Sequence, residues 1–517
     1  MPIIEKYLKD SFGLIDLLNS TKSATLHVGK TKKHALNNRP AIIEFNEKEY
    51  ILRYKALVPK GVQNHNELKV RRETELLIKC KNQNYYTEGK NVLPTSISIP
   101  DFDNPRFENR RLKKLVISNV ASLSTVKKSF YSRERYYRAI IPTPKEVRLF
   151  GNFTGWTFNV DGKRYFETLM KLNISGLKFH FYTYKKSDSF FLVIDSKQKV
   201  EYQDFMRYVN SILLSYGFLK GDYHGEQAYV CSYRSEKQIK PQSLKTIILG
   251  GGKYNGFLIH TTNPYNIQKF REQNREKKDD KGNIISINGH LKKYMVEFPE
   301  DNFSKLCSLI ESKGGILRSV ILFVSNHSTT LEMKIPILFV ALENITKALT
   351  GRDVSIPKLI DDENIEKAIK KEIKQIAKNI NKIKRENMPQ NLNKEDKKEY
   401  EATYSRILTK FYNFNNGTNN KKLTEPFSQY GYKLTKEEEE LILVHRNKFL
   451  HGDDFSDINL DYEFEFRELF HISMKLEKLI AVLLLKASGY KGYIMNNAKI
   501  YEYISEKNLK EKEMIVI

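Results

Sequence analysis

In the first quarter of the chain, apolar and polar positions alternate in short runs. PAIIEFNEKEYILRYKAL (40–57) and KKLVISNVASL (113–123) carry the period-2 pattern of β-branched and aromatic residues that predicts half-buried strands. Asn37-Asn38 and Asn104-Pro105 break them. Residues 1–130 are therefore expected to form a β-rich, mostly antiparallel N-terminal domain. From 131 to 297 the periods mix, which predicts a mixed α/β domain. FHFYTYKKSDSFFLVID (179–195) is two alternating runs around a polar turn, a hairpin pattern. In YQDFMRYVNSILLSYGFLKG (202–221), Phe205, Met206, Val209, Ile212, Leu213 and Phe218 fall at helical spacing, and Gly217 and Gly221 offer stops. QAYVCSYRS (227–235) returns to a strand pattern. LGGGKYNGF (249–257) lacks the Ser or Thr that follows Gly-Lys in a phosphate cradle, and it is expected to be a loop.

From about Phe303 long segments of 3.6-residue period take over, and residues 298–517 are expected to form an all-α bundle. LEMKIPILFVALENITKALTG (331–351) is one helix, with Pro336 in its first turns or at a kink. Ile369, Ile373, Ile376, Ile380 and Ile383 recur at spacings of four and three, with Lys on the other faces and Pro389 beyond. That stripe predicts core packing of a long helix, with a short two-stranded coiled coil as the alternative. KLTKEEEELILVHRNKFLHG starts with Thr435 and Glu438 at capping-box spacing, and Gly452 is placed to end it. A last helix, about 461–488, is apolar nearly all round at its end and should be buried. The fold class expected is thus multidomain α+β.

Composition narrows the function only in part. A chain of 517 residues with 40% hydrophobic and 12% aromatic residues can bury more than one core. The formal charge of +25 favours polyanionic partners, nucleic acid before anionic membrane, although Lys spread over solvated faces gives the same excess. Cys80, Cys231 and Cys307 lie far apart, so neither a zinc knuckle nor a disulfide framework is supported. No signal-peptide pattern opens the chain, and the apolar run 479–485 is short of a membrane span, so a cytoplasmic protein is expected. The stretch SRERYYRAI (132–140) interleaves Arg with Tyr as RNA-stacking surfaces do, but reads better as a strand.

The chemistry concentrates in HRNKFLHGDD (445–454). Among the eleven histidines, only His451 has an arginine five to seven residues upstream, Arg446, with Asn447 directly after it. Asn447 and His451 share a helix face, while Arg446 and His451 diverge by about 140° on a regular helix. A helix C-terminus stabilises a protonated imidazole. Histidine can take a proton from an RNA 2′-hydroxyl or give one to the leaving 5′-oxygen, and arginine can grip the phosphate between them. No metal ligand cluster is evident, and no cofactor is expected.

Arg446-Asn447-x-x-x-His451 in a C-terminal helical region resembles the HEPN superfamily, many of whose members are metal-independent ribonucleases. The β-rich and mixed N-terminal half, together with Gly489-Tyr490-x-Gly492-Tyr493, resembles the ApeA-type HEPN proteins of bacterial anti-phage defence. The motif-level likeness covers about 300–500; over 1–297 it is architectural only. The resemblance implies catalysis by Arg446 and His451 with Asn447 supporting, and a substrate-binding or supporting pair at Glu343 and Lys347, spaced as the family's Glu-x3-Lys. Glu343 and Lys347 are equally able to pair with each other. It also implies an RNA substrate, an abortive-infection role, a phage-derived trigger acting on the N-terminal half, and a homodimer through the C-terminal bundle with both motifs facing one cleft. A non-catalytic module binding RNA or nucleotide, and a structural bundle in a signalling complex, stay open at this point.

Overall fold

The computed structural model describes residues 3–20, 23–28, 38–45, 50–58, 76–87, 92–98, 112–127, 134–144, 147, 156–160, 163–167, 169–255, 277–278, 284–286, 298–326, 329–350, 360, 362–389, 393–415, 419–446, 449 and 462–517. Its contacts group the chain into two units. One is built on a sheet and holds residues 1–330, 488–503 and 507–517; the other is helical and holds 331–487 and 504–506. The architecture is multidomain α+β, but the grouping differs from the expected segments 1–130, 131–297 and 298–517.

The first correction is the N-terminus. Residues expected to be strand open with a helix, α1 (Ile3–Ser20). Leu8, Phe12, Ile15 and Leu18, spaced four, three and three, are all buried, which is the stripe of an amphipathic helix. Burying each contributes roughly 1.5–3 kcal/mol. Next come β1 (Ser23–Val28), β2 (Arg39–Phe45), β3 (Tyr50–Val58), β4 (Leu76–Lys79) and β5 (Asn84–Thr87). They are followed by β6 (Val92–Ser98), β7 (Leu112–Val120), β8 (Leu123–Ser124) and β9 (Tyr136–Thr143). A separate hairpin of β10 (Trp156–Val160) and β11 (Lys163–Glu167) precedes β12 (Leu169–Ile174), β13 (Leu177–Lys186) and β14 (Ser189–Ser196). Helix α2 (Tyr202–Lys220) then leads to β15 (Asp222–Tyr233) and β16 (Ser243–Asn255).

Fourteen of these strands form one sheet, in the order β12-β13-β14-β9-β15-β16-β8-β5-β4-β1-β2-β3-β7-β6. The sheet crosses the expected boundary at 130/131 through the two-residue strand β8, which meets β16 at Ser124 and Lys245 and β5 at Leu123 and Thr87. One hydrophobic core spans both halves, and α1 ties them together. Asn19 of α1 bonds the hydroxyls of Tyr50 in β3 and Tyr229 in β15.

The expected hairpin is present, with Lys186 paired to Ser189 across a two-residue turn. The expected helix ends at Gly221, whose left-handed φ of 73° lets its N–H reach the Gly217 carbonyl. LGGGKYNGF is a correction: 249–255 continue β16, and Gly252 faces Gly225 in the register with β15. Residues 256–257 lie outside the described residues.

Helices α3 (Glu300–Ser312) and α4 (Gly314–Ser325) belong to the sheet unit, not to the helical one. The reason is visible at the sheet edge. The backbone N–H groups of Lys171, Asn173 and Ser175 donate to Glu300 Oε1 (2.9 Å), Ser304 Oγ (3.1 Å) and Ser308 Oγ (3.1 Å). A helix offering acceptors every four residues, about 6 Å apart, matches a strand offering outward donors every two. Side chains of α3 thus satisfy the edge strand β12 and cover it against stray pairing. The GY-x-G-Y stretch also returns to this unit. Tyr490 stacks on Phe298 and its hydroxyl donates to the Tyr493 carbonyl, and a Cβ on Gly492 would overlap that hydroxyl.

The helical unit contains α5 (Leu331–Thr350), α6 (Glu363–Glu386), α7 (Lys394–Tyr412), α8 (Asn419–Gln429), α9 (Lys436–Glu440) and α10 (Tyr462–Ala487). Pro336 is accommodated within the second turn of α5. Along α6 the expected stripe is buried only in part. Of the stripe's five isoleucines only Ile373 is buried, Ile369 and Ile380 are half-buried, and Ile376 and Ile383 are 39% and 49% exposed. Helix α6 packs beside α7, where the Tyr400 hydroxyl donates to the Lys384 carbonyl, so one neighbour covers one flank of the stripe. Helix α10 packs on α5 and is buried from Leu469 to Leu485, as its apolar pattern predicts.

Candidate active site

Helix α10 is less apolar than its sequence suggests. His471, Lys475, Glu477 and Lys478 are all buried within it. Each is met by an opposite charge or a hydrogen-bond partner, as burial of ionic groups demands. Lys334 of α5 lies 2.6 Å from Glu477. The other three hold α9. Glu437 bonds His471 Nε2 at 3.0 Å and Lys475 Nζ at 3.3 Å, and Glu438 bonds Lys478 Nζ at 2.7 Å. His471, Lys475 and Lys478 are spaced four and three, so one face of α10 grips two consecutive glutamates. Hydrogen bonding from His471, reinforced by Lys475, holds the Glu437 carboxyl at about 2, below its ordinary range, against the opposing effect of partial burial.

The capping box read from the sequence is present. Glu438 N–H donates to Thr435 Oγ1 at 3.2 Å, and Thr435 N–H donates to Glu438 Oε2 at 2.9 Å. The same carboxylate accepts from the Tyr432 hydroxyl at 3.1 Å. One residue, Glu438, therefore starts the helix and anchors it to α10.

Past α9 the helix widens into a π-turn over Leu441–His445 and delivers Arg446 in helical conformation. Such turns shift the register of everything beyond them and recur at functional sites. The Nε of Arg446 pairs with Glu343 Oε1 of α5, 103 residues away in sequence. Both side chains are part-exposed, at 22% and 33%. One turn along, Phe449 stacks on Phe339 with ring centroids 6.1 Å apart. Glu343 is four residues after Phe339, and Arg446 three before Phe449, so the two segments run antiparallel across one turn.

Two of the five sequence-predicted residues are thus brought together. Glu343 pairs with Arg446, not with Lys347, which is exposed one turn further along α5. Asn447 and His451 lie outside the described residues, as does Gly452. The sequence reading missed Phe339, Phe449 and the glutamate anchors of α9; only the run of four glutamates pointed at the last. SRERYYRAI supplies no RNA-facing basic surface at Arg138, which is fully buried in the sheet unit.

No protein-family model matches the chain, and neither a curated protein nor a solved structure matches it. Among the described residues, no helix is long and apolar enough to cross a membrane. The candidate site therefore rests on its own geometry: a guanidinium that directly follows a π-turn in an anchored helical segment, oriented by a carboxylate on a facing helix and open to solvent on part of its surface.

Proposed function

We propose that the helical unit is a metal-independent endoribonuclease of the HEPN type, acting in bacterial anti-phage abortive infection in the cytoplasm. The observation that supports this reading is the Arg446–Glu343 pair, which joins the two separate stretches singled out in the sequence. In the proposed reaction a base takes the proton of an RNA 2′-hydroxyl, and the oxygen attacks the adjacent phosphorus. The bond to the 5′-oxygen breaks, and an acid protonates that oxygen. The products are a 2′,3′-cyclic phosphate and a 5′-hydroxyl. His451 serves as base or acid near neutral pH. Arg446 stabilises the charge growing on the phosphoryl oxygens. Asn447 orients the phosphate or the imidazole, Glu343 holds the guanidinium, and Lys347 offers a further cation to the RNA. Because Arg446 and His451 diverge on a regular helix, two chains related by a two-fold axis complete one cleft, and the N-terminal half receives the phage-derived trigger.

The test is total RNA incubated with purified protein in EDTA, with the cut ends sequenced. Wild type should cleave; Arg446→Ala and His451→Ala should each lose at least about 100-fold, the scale of removing one transition-state donor. Mixing His451→Ala chains into wild type should depress activity below the fraction of wild-type chains. Strict dependence on a divalent cation, or full activity in either variant, would sink the reading.

A further inference from the structure

Helix α6 carries a second feature that the site does not use. Its buried positions, Glu366, Ile373 and Ala377, define the covered line of the helix. Taking 100° per residue, Lys367, Lys370, Lys371, Lys374, Lys378, Lys382 and Arg385 all fall within about 120° on one side of that line. The exposed isoleucines, Ile365, Ile376 and Ile383, fall on the other side. All seven cations are exposed. From Lys367 to Arg385 the ridge runs about 27 Å at 1.5 Å per residue.

The ion pairs along α6 leave the centre of the ridge uncommitted. Lys367 pairs with Glu363 at 3.5 Å, Lys370 with Glu366 at 2.5 Å and Lys382 with Glu386 at 3.7 Å. Among the described residues, Lys371, Lys374, Lys378 and Arg385 pair with no carboxylate. Four cations spaced three, four and seven residues apart repel one another along a helix face, at a cost in stability. A polyanion with regularly spaced charges removes that repulsion and releases its own counterions on binding. The apolar row is three isoleucines exposed by only 39–50%, too little apolar surface to seat the helix in an acyl layer, as an interfacial helix requires.

We infer that this face of α6 is a nucleic-acid backbone contact, holding a phosphate chain through Lys371, Lys374, Lys378 and Arg385 without reading its bases. RNA as the source of that chain rests on the proposed function; the contact itself requires neither Arg446 nor His451. The experiment is equilibrium binding of the full-length Arg446→Ala protein to labelled single-stranded RNA and to DNA of the same sequence, across a salt series. It is repeated after adding K371Q, K374Q, K378Q and R385Q together. Each cation lost should flatten log K against log salt by about 0.7 on a single strand, so the four together flatten it by about 2.8. Glutamine on an exposed helix face retains the fold, which thermal unfolding checks. An unchanged slope on both nucleic acids overturns the contact. So does equal binding of polyglutamate with the same loss, which would mark a general acidic-protein surface. Loss on DNA alone, with RNA unaffected, also overturns it. Wild type that binds through the ridge but cuts no RNA would instead defeat the proposed function and leave this inference standing.

Discussion

The sheet unit and the helical unit both bury charge, and they use it differently. In the sheet unit one guanidinium, Arg138 of β9, is sealed from solvent and shared among many partners. Its Nε and one terminal nitrogen bind the two Asp195 oxygens at 2.7 and 3.1 Å. The other terminal nitrogen reaches the carbonyls of Tyr7 and Gln238 and the hydroxyls of Ser11 and Tyr233. Desolvation opposes the charge, but the Asp195 carboxylate outweighs it and holds Arg138 firmly protonated. The pair joins β9, β14 and α1, so it functions as a lock in the core. In the helical unit the buried polar and charged side chains are distributed along α10, and each fixes a point of a neighbouring element. Three of them hold the short helix that ends in the π-turn before Arg446. A central lock joins several elements at one point, whereas a row of separate anchors holds one short helix at several points.

The largest expected effect breaks the lock. Arg138→Met leaves Asp195 buried without its cation, and losing one member of a buried pair costs about 3–5 kcal/mol. Unfolding of the sheet unit should move to markedly lower denaturant, with the transition of the helical unit in place. A single shared shift of both transitions would mean that the units are not energetically separable.

Breaking one anchor comes next. Lys478→Met strands Glu438, which is completely buried, and weakens the capping box that the same carboxylate closes. A loss of about 3 kcal/mol is expected in the helical unit's transition. Under the proposed function cleavage should fall as well, because Arg446 sits eight residues beyond Glu438 on the same helical segment. A stability loss with intact cleavage would show that the anchors support the fold and not the site.

Glu343→Gln sharpens the comparison at the tip itself. It removes the charge facing Arg446 and keeps an acceptor of the same shape. Under the proposed function kcat falls about tenfold, equivalent to about 1.4 kcal/mol, with KM nearly unchanged. A rise in kcat would instead make the carboxylate a restraint that competes with the substrate phosphate.

Much of this organisation could be read from local pattern. The 177–196 hairpin, α2 with its Gly221 stop, α5, and the Thr435–Glu438 capping box each announce themselves within twenty residues or so, because period and cap chemistry are local. The misses are long-range or cut against propensity. The apolar spacing of α1 was present but lay among residues assigned to strands. The glycines of β16 read as a loop because glycine is a poor strand former on its own, yet pairing with Gly225 places them in the sheet. Helix α10 read as apolar, and its buried His471, Lys475, Glu477 and Lys478 make sense only once α5 and α9 supply partners. Nothing local links Glu343 to Arg446, and the π-turn before Arg446 has no sequence signature. The helix α3 edge cover was legible in principle, as Glu300, Ser304 and Ser308 at four-residue spacing, but only to a reader who knew which strand lay beside it.

The smallest expected effect separates the two units by acid. In the sheet unit, burial, aided by Lys197, depresses His180 from its ordinary value to about 4. The unfolded chain therefore binds a proton that the folded unit refuses, and stability falls as pH drops from about 6.5 towards 4. In the helical unit Glu437 has a depressed value of about 2, so its contribution is fully present above about 4.5 and is lost only as pH falls from there towards 2. Glu437 is half-exposed, so solvent screening keeps its share small. Acid should thus weaken the sheet unit first and the helical unit later, which denaturant titrations at pH 7, 5 and 3 would resolve. His180→Gln should flatten the sheet unit's slope between pH 6.5 and 4 and leave the helical unit's response below 4.5 untouched. If that substitution leaves the slope as it was, other groups carry the acid response, and His180 does not distinguish the two units.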